Sequence, residues 1–440
     1  MSIKFVDLFA GIGGIRLGFE QALRDLDVSG RCVFSSEIHP EAQNAYQLNF
    51  DEQPYGDIRE VKELPEHDVL LAGFPCQSFS YAGKQAGFAD IRGTLFFEID
   101  RLLRAAVKKP RMLILENVRG FTTHDKGRTF ATVKNRLEEL GYGVQTLLLN
   151  SAVFGVPQNR VRAYLVCFYK SLPRLSLQND VGYADSHQFK KKYKQQSLFL
   201  ESNIQPRTVS DILIDKVDAK FHCSEKFVKQ VLKALNGKPL VSLHGVRLID
   251  SRGGNSIHSW DMGLKGECSQ REQDLMNAII QNRRKKVFGT HQDGKRLSEI
   301  QIKTFWPEKD LPNLLQSLTK KGYLSLKNET YNPVAGNMSF EVFKFLDPES
   351  ISITVVSTDA HRLGVVQNGK LRRITPRECA RLQGFPDEFD LHQNDKWAYH
   401  QLGNTVTVPV VFNVAHHALL QSGMCKSYTV PRRKLHQYIN

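Results

Sequence analysis

Along the first 170 residues, short unbroken apolar runs alternate with stretches of helical periodicity. The run IKFVDLF at 3–9 predicts a buried strand, and Ile15, Phe19, Ala22, Leu23 and Leu26 then share one helical face. Residues 31–37 (RCVFSSE) and 68–74 (DVLLAGF) predict two further strands. A helix from about Thr94 aligns Leu95, Ile99, Leu102 and Ala106, and 111–115 (RMLIL) is the next strand. Phe130, Val133, Leu137 and Leu140 mark another helix, and residues 143–149 and 163–169 close the series. Strands alternating with helices predict a doubly wound α/β domain around a parallel sheet.

The pattern changes near residue 170. From there to about 250 the chain is more polar and carries Lys190-Lys191-Lys192-Tyr193-Lys194, for which a solvated loop is an even alternative to a contact with a partner. Residues 269–346 read as a compact unit of their own. One helix starts after Ser269 and ends in Arg283-Arg284-Lys285-Lys286, and a short one spans about 297–305. A third runs from Asp310 through Leu314, Leu315 and Leu318 to Gly322. Strand-like runs follow at 323–327 and 339–346. Three helices and a hairpin outline a winged helix-turn-helix; the plainer alternative is a helical insertion.

Composition narrows the class. The 440 residues suffice for two or three domains, and the net charge of +14 points to a polyanionic partner, nucleic acid first. Met1-Ser2-Ile3-Lys4 lacks an apolar h-region, and no apolar stretch is long enough to span a membrane. Seven scattered cysteines without a CxxC pair argue against a zinc site or a disulfide framework and for a reducing cytoplasm.

Several motifs carry chemistry. DLFAGIGG at 7–14 is a glycine-rich turn between strand and helix, where backbone can approach a nucleotide; it is not GxGxxG. Glu37 ends the second strand, placed to bind ribose hydroxyls, and Gly56-Asp57 lies where the next strand end should fall. In GFPCQSFS at 73–80, Cys76 follows a buried strand and a proline, in a loop with polar neighbours; a nucleophile is favoured there over an inert thiol. Glu116, in LENV, directly follows an apolar strand, where a catalytic acid or a helix-capping carboxylate would be poorly solvated. Arg160 and Arg162 in QNRVR point the same way from an extended segment, for a ligand or as surface charge.

Together these motifs closely resemble those of the C5-cytosine DNA methyltransferases, especially the bacterial restriction–modification enzymes. The match takes in DLFAGIGG, the Glu37 strand end, GDI at 56–58 and GFPCQSFSYAGKQAGFADIRGTLFFEI at 73–99. It continues through ENV at 116–118, QNRVR at 158–162, RECARLQGFP at 377–386 and QLGNTVTVP at 401–409. The resemblance implies a Rossmann-like domain binding S-adenosylmethionine, formed by 1–175 and 398–440, with a smaller target-recognition domain over 176–397. It implies that Cys76 adds to C6 of a flipped cytosine, that Glu116 acts at N3, and that Arg162 contacts the base with Arg160 in support. Phe9, Gly11, Gly13, Glu37, Ile38, Asp57, Pro75, Asn404 and Val406 are implied to line the cofactor pocket, Glu37 at the ribose and Asp57 at the adenine amino group. Ile38 departs from the family, where an aromatic residue often stacks on adenine. The loop Ser80–Arg92 matches one that closes over DNA, with Gly83 and Gly87 as hinges, and Ser251–Asn255 suits close approach to DNA. The implied partners are double-stranded DNA and a cognate restriction endonuclease, for a monomer in the bacterial cytoplasm with no metal. Two alternatives stay open: an RNA cytosine methyltransferase, and a catalytically inactive DNA-binding relative.

Overall fold

The computed structural model describes residues 2–75, 95–177, 207–289, 294–334 and 340–425. Cys76 and the loop Ser80–Arg92 lie outside the described residues, as does the lysine run at 190–194. The chain divides into two compact units: Met1–Ile212 with Ser350–Ala360 and Pro376–Asn440, and Leu213–Glu349 with His361–Thr375.

The first unit opens with β1 (Ile3–Leu8), α1 (Gly14–Asp25), β2 (Gly30–Ser36), α2 (Pro40–Phe50) and β3 (Val69–Gly73). It continues with α3 (Leu95–Ala105), β4 (Met112–Val118), α4 (Arg128–Glu139), β5 (Tyr142–Asn150) and β6 (Val161–Tyr169). The sheet order is β2-β1-β3-β4-β6-β5. The first four strands are parallel, as helical crossovers require. β6 runs antiparallel to both β4 and β5, which corrects the expectation of a wholly parallel sheet. Between β5 and β6 the only helical segment is the one-turn Ser151–Phe154, too short for a crossover, so β6 returns beside β5. Alternate residues of the central strands feed two cores. Phe5, Leu71 and Ile114 join Ile15 and Phe19 of α1 on one face, while Val6, Leu70 and Leu113 join Ile99 of α3 and Val133 of α4 on the other. Burial on both faces is why these strands read as unbroken apolar runs.

The second unit holds α5 (Glu225–Leu235), β7 (Arg247–Leu248), β8 (Ser256–Ile257), α6 (Gln270–Asn282), β9 (Leu297–Ser298) and α7 (Glu299–Lys303). It goes on with α8 (Leu311–Lys320), β10 (Leu324–Lys327), β11 (Thr330–Pro333), β12 (Lys344–Phe345), β13 (Leu363–Gln367) and β14 (Lys370–Arg373). One sheet runs β14-β13-β12-β7-β8 and the other β10-β11-β9. Ser269 caps α6 as expected, in a reciprocal box with Glu272. The hairpin differs from expectation. β10 pairs with Thr330–Pro333, whereas Lys344–Phe345 of the expected strand 339–346 joins the other sheet. Asn328 and Glu329, at φ 49° and 55°, form the two-residue turn; without a glycine it gave no hairpin signal.

The chain then returns to the first unit as α9 (Pro376–Leu382), α10 (Asp395–Asn404) and α11 (Val408–Gln421). The unit boundaries therefore differ from the expected 175/176 and 397/398 divisions. Hydrogen bonding gives the reason. Asn159 N–H donates to the Ser352 carbonyl at 2.8 Å, Ser352 N–H to the Pro157 carbonyl at 2.7 Å, and Gln158 Nε2 to the Leu382 carbonyl at 2.8 Å. Among the described residues, no helix is long and apolar enough to cross a membrane. Nor does any His, Cys, Asp and Glu cluster among them suit a metal ion.

Candidate active site

The carboxyl ends of adjacent parallel strands form the edge where open α/β sheets bind ligands. β1 runs out into Phe9, a non-glycine residue at φ 56°, and then Gly11 and Gly13, at φ 56° and 84°. A Cβ on Gly11 would meet nothing within 4 Å, so open space lies over its backbone. At Gly13 the left-handed φ favours glycine, and a Cβ would lie 2.1 Å from the Phe50 ring. Glu37, just past β2, is buried. Its Oε2 accepts from Gly11 N at 2.8 Å and its Oε1 from His39 N at 2.9 Å. Backbone amides thus aim the carboxylate, and each oxygen keeps a lone pair for a hydroxyl. Ile38 beside it is 55% exposed, an apolar wall without a protein partner over much of its surface. Ser36 Oγ and Asp7 Oδ1 are buried near the same strand ends without a hydrogen-bond partner. Open space over a glycine turn, an aimed acid, an apolar wall and orphaned polar atoms fit a nucleoside-bearing cofactor.

Asp57 accepts hydrogen bonds from both the backbone and the guanidinium of Arg59, which hold its carboxyl below the usual range. Its position also caps the turn Ile58–Glu60. Asn404 is exposed at the end of α10, while Val406 is buried in the core that includes Ile15. A Cβ on Gly14 would lie 2.4 Å from Thr405 Oγ1, so the segment around Thr405 lies directly against the glycine turn.

The second half of the site is at β3 and β4. Gly73 is the register partner of Glu116, and Phe74 and exposed Pro75 follow it toward Cys76. Asn117 Nδ2 donates to the Phe74 carbonyl at 2.9 Å, so ENV anchors the start of the cysteine loop. Glu116 is buried, and its Oε1 lies 3.1 Å from Arg162 Nε, brought there by the β4–β6 pairing. Burial raises the Glu116 carboxyl above the usual range, opposed by Arg162 and Arg160. Arg160 lies close to the same pair but takes other hydrogen-bond partners. It is 2% exposed and donates to the carbonyls of Val355 at 2.6 Å and Thr405 at 2.5 Å. Burial pushes this guanidinium down to about 9. Its geometry is that of a positioning residue for the segment around Asn404.

Other positioning residues escaped the sequence reading. Gln158 and Gln383 are both fully buried, with Gln158 Nε2 3.1 Å from Gln383 Oε1. Gln383 Nε2 donates to the Leu382–Asn404 side of the site through the Leu402 carbonyl at 2.8 Å, and Thr407 Oγ1 donates to its Oε1 at 3.0 Å. Both glutamines lie inside motifs of the resemblance; what concealed their role is that they bond each other across 225 residues of chain.

Comparison with known proteins completes the picture. The model of the C-5 cytosine-specific DNA methylases matches residues 3–419. The chain is 59% identical to the type II methyltransferase M.BanI of Aneurinibacillus aneurinilyticus, over 94% of this chain and 95% of that protein. It is 58% identical to M.HgiCI of Herpetosiphon aurantiacus, over 93% and 96%. In fold it is similar to the crystal structure of the S. pombe Dnmt2 methyltransferase, at TM-score 0.54 and 15% identity, covering 96% of this chain and 99% of that one. With its strand-edge site and a family match over nearly its whole length, the chain belongs to the C-5 cytosine-specific DNA methylases.

Proposed function

We propose that this cytosine-5 DNA methyltransferase works through Cys76 as covalent nucleophile, with Glu116 and Arg162 acting on the target base. The observation that carries the assignment is the buried Glu116–Arg162 pair, set in register with the strand that leads into Pro75 and Cys76. S-adenosylmethionine, which Phe9, Gly11, Gly13, Glu37, Ile38, Asp57, Pro75, Asn404 and Val406 would hold, supplies an electrophilic methyl group when bound. Cytosine C5 is a weak nucleophile. The Cys76 thiolate forms an Sγ–C6 bond to a cytosine flipped from the duplex, and the C5–C6 π pair moves to C5 and toward N3. Glu116 donates a proton to N3, which drains charge from the ring; its raised proton affinity suits that donor. Arg162 keeps the Glu116 side chain oriented and faces the base, and Arg160 positions the segment near Asn404. Once C5 carries the methyl group, a base takes the C5 proton, the freed pair re-forms C5=C6 and expels the Cys76 thiolate, and the N3 proton returns to the Glu116 carboxylate.

Cys76 is the thiol expected to react, because burial pushes the thiols of Cys32 and Cys223 up to about 12 and that of Cys268 to about 11. Catalysis is placed on the first unit and target recognition on the second, Leu213–Glu349 with His361–Thr375. The DNA methylase family answers the RNA alternative, and activity of the family the binding-only one. The type II names of the relatives support a restriction–modification role; a monomer in the bacterial cytoplasm, beside an endonuclease of the same site, belongs to the same proposal. The test is tritiated methyl incorporation into duplex DNA, with bisulfite sequencing of DNA from expressing cells. Label that fails to enter cytosine C5 would refute the proposal.

A further inference from the structure

Residues 269–334 run helix, strand, helix, helix, strand, strand: α6, β9, α7, α8, β10, β11. The late hairpin strand β11 lies between β10 and the early strand β9, with Thr330 opposite Ser298 and Tyr331 opposite Leu297. Leu275, Met276 and Ile279 of α6, Ile302 of α7, and Leu311, Leu315 and Leu318 of α8 close one core. Resting on the reading above, we propose that this unit is a winged helix-turn-helix that reads base edges of the target duplex, with Asn313, Gln316 and Lys320 of α8 as its reading face and the β10–β11 hairpin as its wing.

Three observations carry it. First, α8 buries Leu311, Leu315 and Leu318 and exposes Asn313, Gln316 and Lys320 on the opposite face. Successive helical residues turn by about 100°, so these three fall within one narrow stripe. The stripe holds no acid. Asn and Gln amides match the paired donor and acceptor of adenine, and Lys matches guanine O6 or N7. In a helix-turn-helix it is the second helix whose N-terminal residues enter the major groove; Asn313 lies in the first turn of α8 and Gln316 one turn after it.

Second, the wing is braced across its base by Arg296. Arg296 Nε donates to Thr330 Oγ1 at 3.0 Å, and its Nη2 to the carbonyls of Ser325 at 2.9 Å and Thr330 at 2.7 Å. Beyond this brace the tip, Leu326 to Glu329, is exposed and carries Lys327.

Third, the charges sort by role. Lys321 is taken by the buried Glu272, at 2.7 and 2.8 Å, and Arg283 is buried with Nη2 2.8 Å from Asn332 Oδ1. These two hold the unit together, and neither is free for phosphate. Arg284, Lys285, Lys286, Lys309, Lys320 and Lys327 are exposed. Most acids nearby are already paired: Glu299 with Lys303, and Glu308 and Asp310 with Arg271. Apart from Glu329 at the wing tip, the surface left over is basic, which suits the phosphates of duplex DNA better than a protein partner.

The full-length protein is offered duplexes with a randomised central segment, and the bound fraction is sequenced. Wild type should enrich a motif that includes the bases flanking its methylated cytosine. Asn313→Ala with Gln316→Ala should lose preference at one or two positions of that motif, with about ten- to a hundredfold weaker binding to the wild-type motif and unchanged binding to unrelated duplex. Lys320→Ala with Lys327→Ala should weaken all duplexes alike and lower the salt slope by about two. All four side chains are exposed, so thermal midpoints should match wild type. The inference is overturned if the double amide variant enriches the same motif at the same affinity, in which case the face serves another partner or none. It is also overturned if wild type enriches no motif. Bisulfite sequencing of the wild type separates the two claims: absent C5 methylation removes the catalytic reading, while the selection still decides the role of α8.

Discussion

At the scale of single residues, burial raises the Glu116 carboxyl while hydrogen bonds from Arg59 lower that of Asp57. Cys76→Ala should abolish methyl incorporation while leaving cofactor affinity near wild type, and 5-fluorocytosine at the target should trap an adduct that denaturing gels resolve. Glu116→Gln keeps a hydrogen-bond donor but cannot give up a proton, so turnover should fall while its fall on the alkaline side disappears; a retained alkaline limb would assign that limb elsewhere. Glu37→Ala removes a charge-assisted acceptor worth about 1.5–3 kcal/mol, a ten- to hundredfold loss of cofactor affinity by calorimetry. Asp7 supplies a pH prediction. It is buried and its carboxyl is raised to about 7, chiefly by burial, against the pull of Arg16. The folded state therefore binds this proton more tightly than the unfolded state. The contribution is full below the ordinary carboxylate range and is lost as pH rises through about 7. Asp7→Asn should flatten the fall in thermal midpoint between those limits; equal slopes in both proteins would contradict it.

At the scale of elements, the site depends on short connections between strand ends. Asn117 holds the Phe74 carbonyl, and truncation to Ala leaves that acceptor unpaired, at about 1–3 kcal/mol. Its effect on catalysis should appear in kcat, with cofactor affinity nearly unchanged, because the bonds lost are those at Phe74 and Val118, beside the cysteine loop. Equal losses in kcat and cofactor affinity would indicate a wider collapse. Gly14 is the opposite case. An added Cβ would strike Thr405 Oγ1, so Gly14→Ala should push the segment near Asn404 off the glycine turn. Overpacking of this kind costs about 1–3 kcal/mol, and cofactor affinity should weaken with it.

At the scale of the whole molecule, charge and division into units set how DNA is met. The net charge of +14 predicts steep salt dependence, since each neutralised phosphate releases counterions. A flat response of affinity between roughly 50 and 200 mM salt would argue against a phosphate-rich interface. The two compact units predict that sequence choice travels with the second. Exchanging 213–349 and 361–375 for the matching segments of a relative with a different target should move the methylated sequence with them; methylation at the original site would place recognition elsewhere.

Local order was what the sequence determined by itself. Unbroken apolar runs announced β1, β3 and β4 because strands buried on both faces have no polar side to display. Glycine turns and strand-end acids at Glu37 and Glu116 were legible because each lies beside its element in the chain. Tertiary structure decided whatever depended on distant partners. The antiparallel return of β6 followed from the missing crossover helix, and the hairpin partner of β10 from a turn without glycine. Arg160 looked like a partner of Arg162, two residues away in an extended segment. The fold instead gave its Nη1 and Nη2 the carbonyls of Val355 and Thr405, whose segments pass beside it, and left its buried Nε without an acceptor.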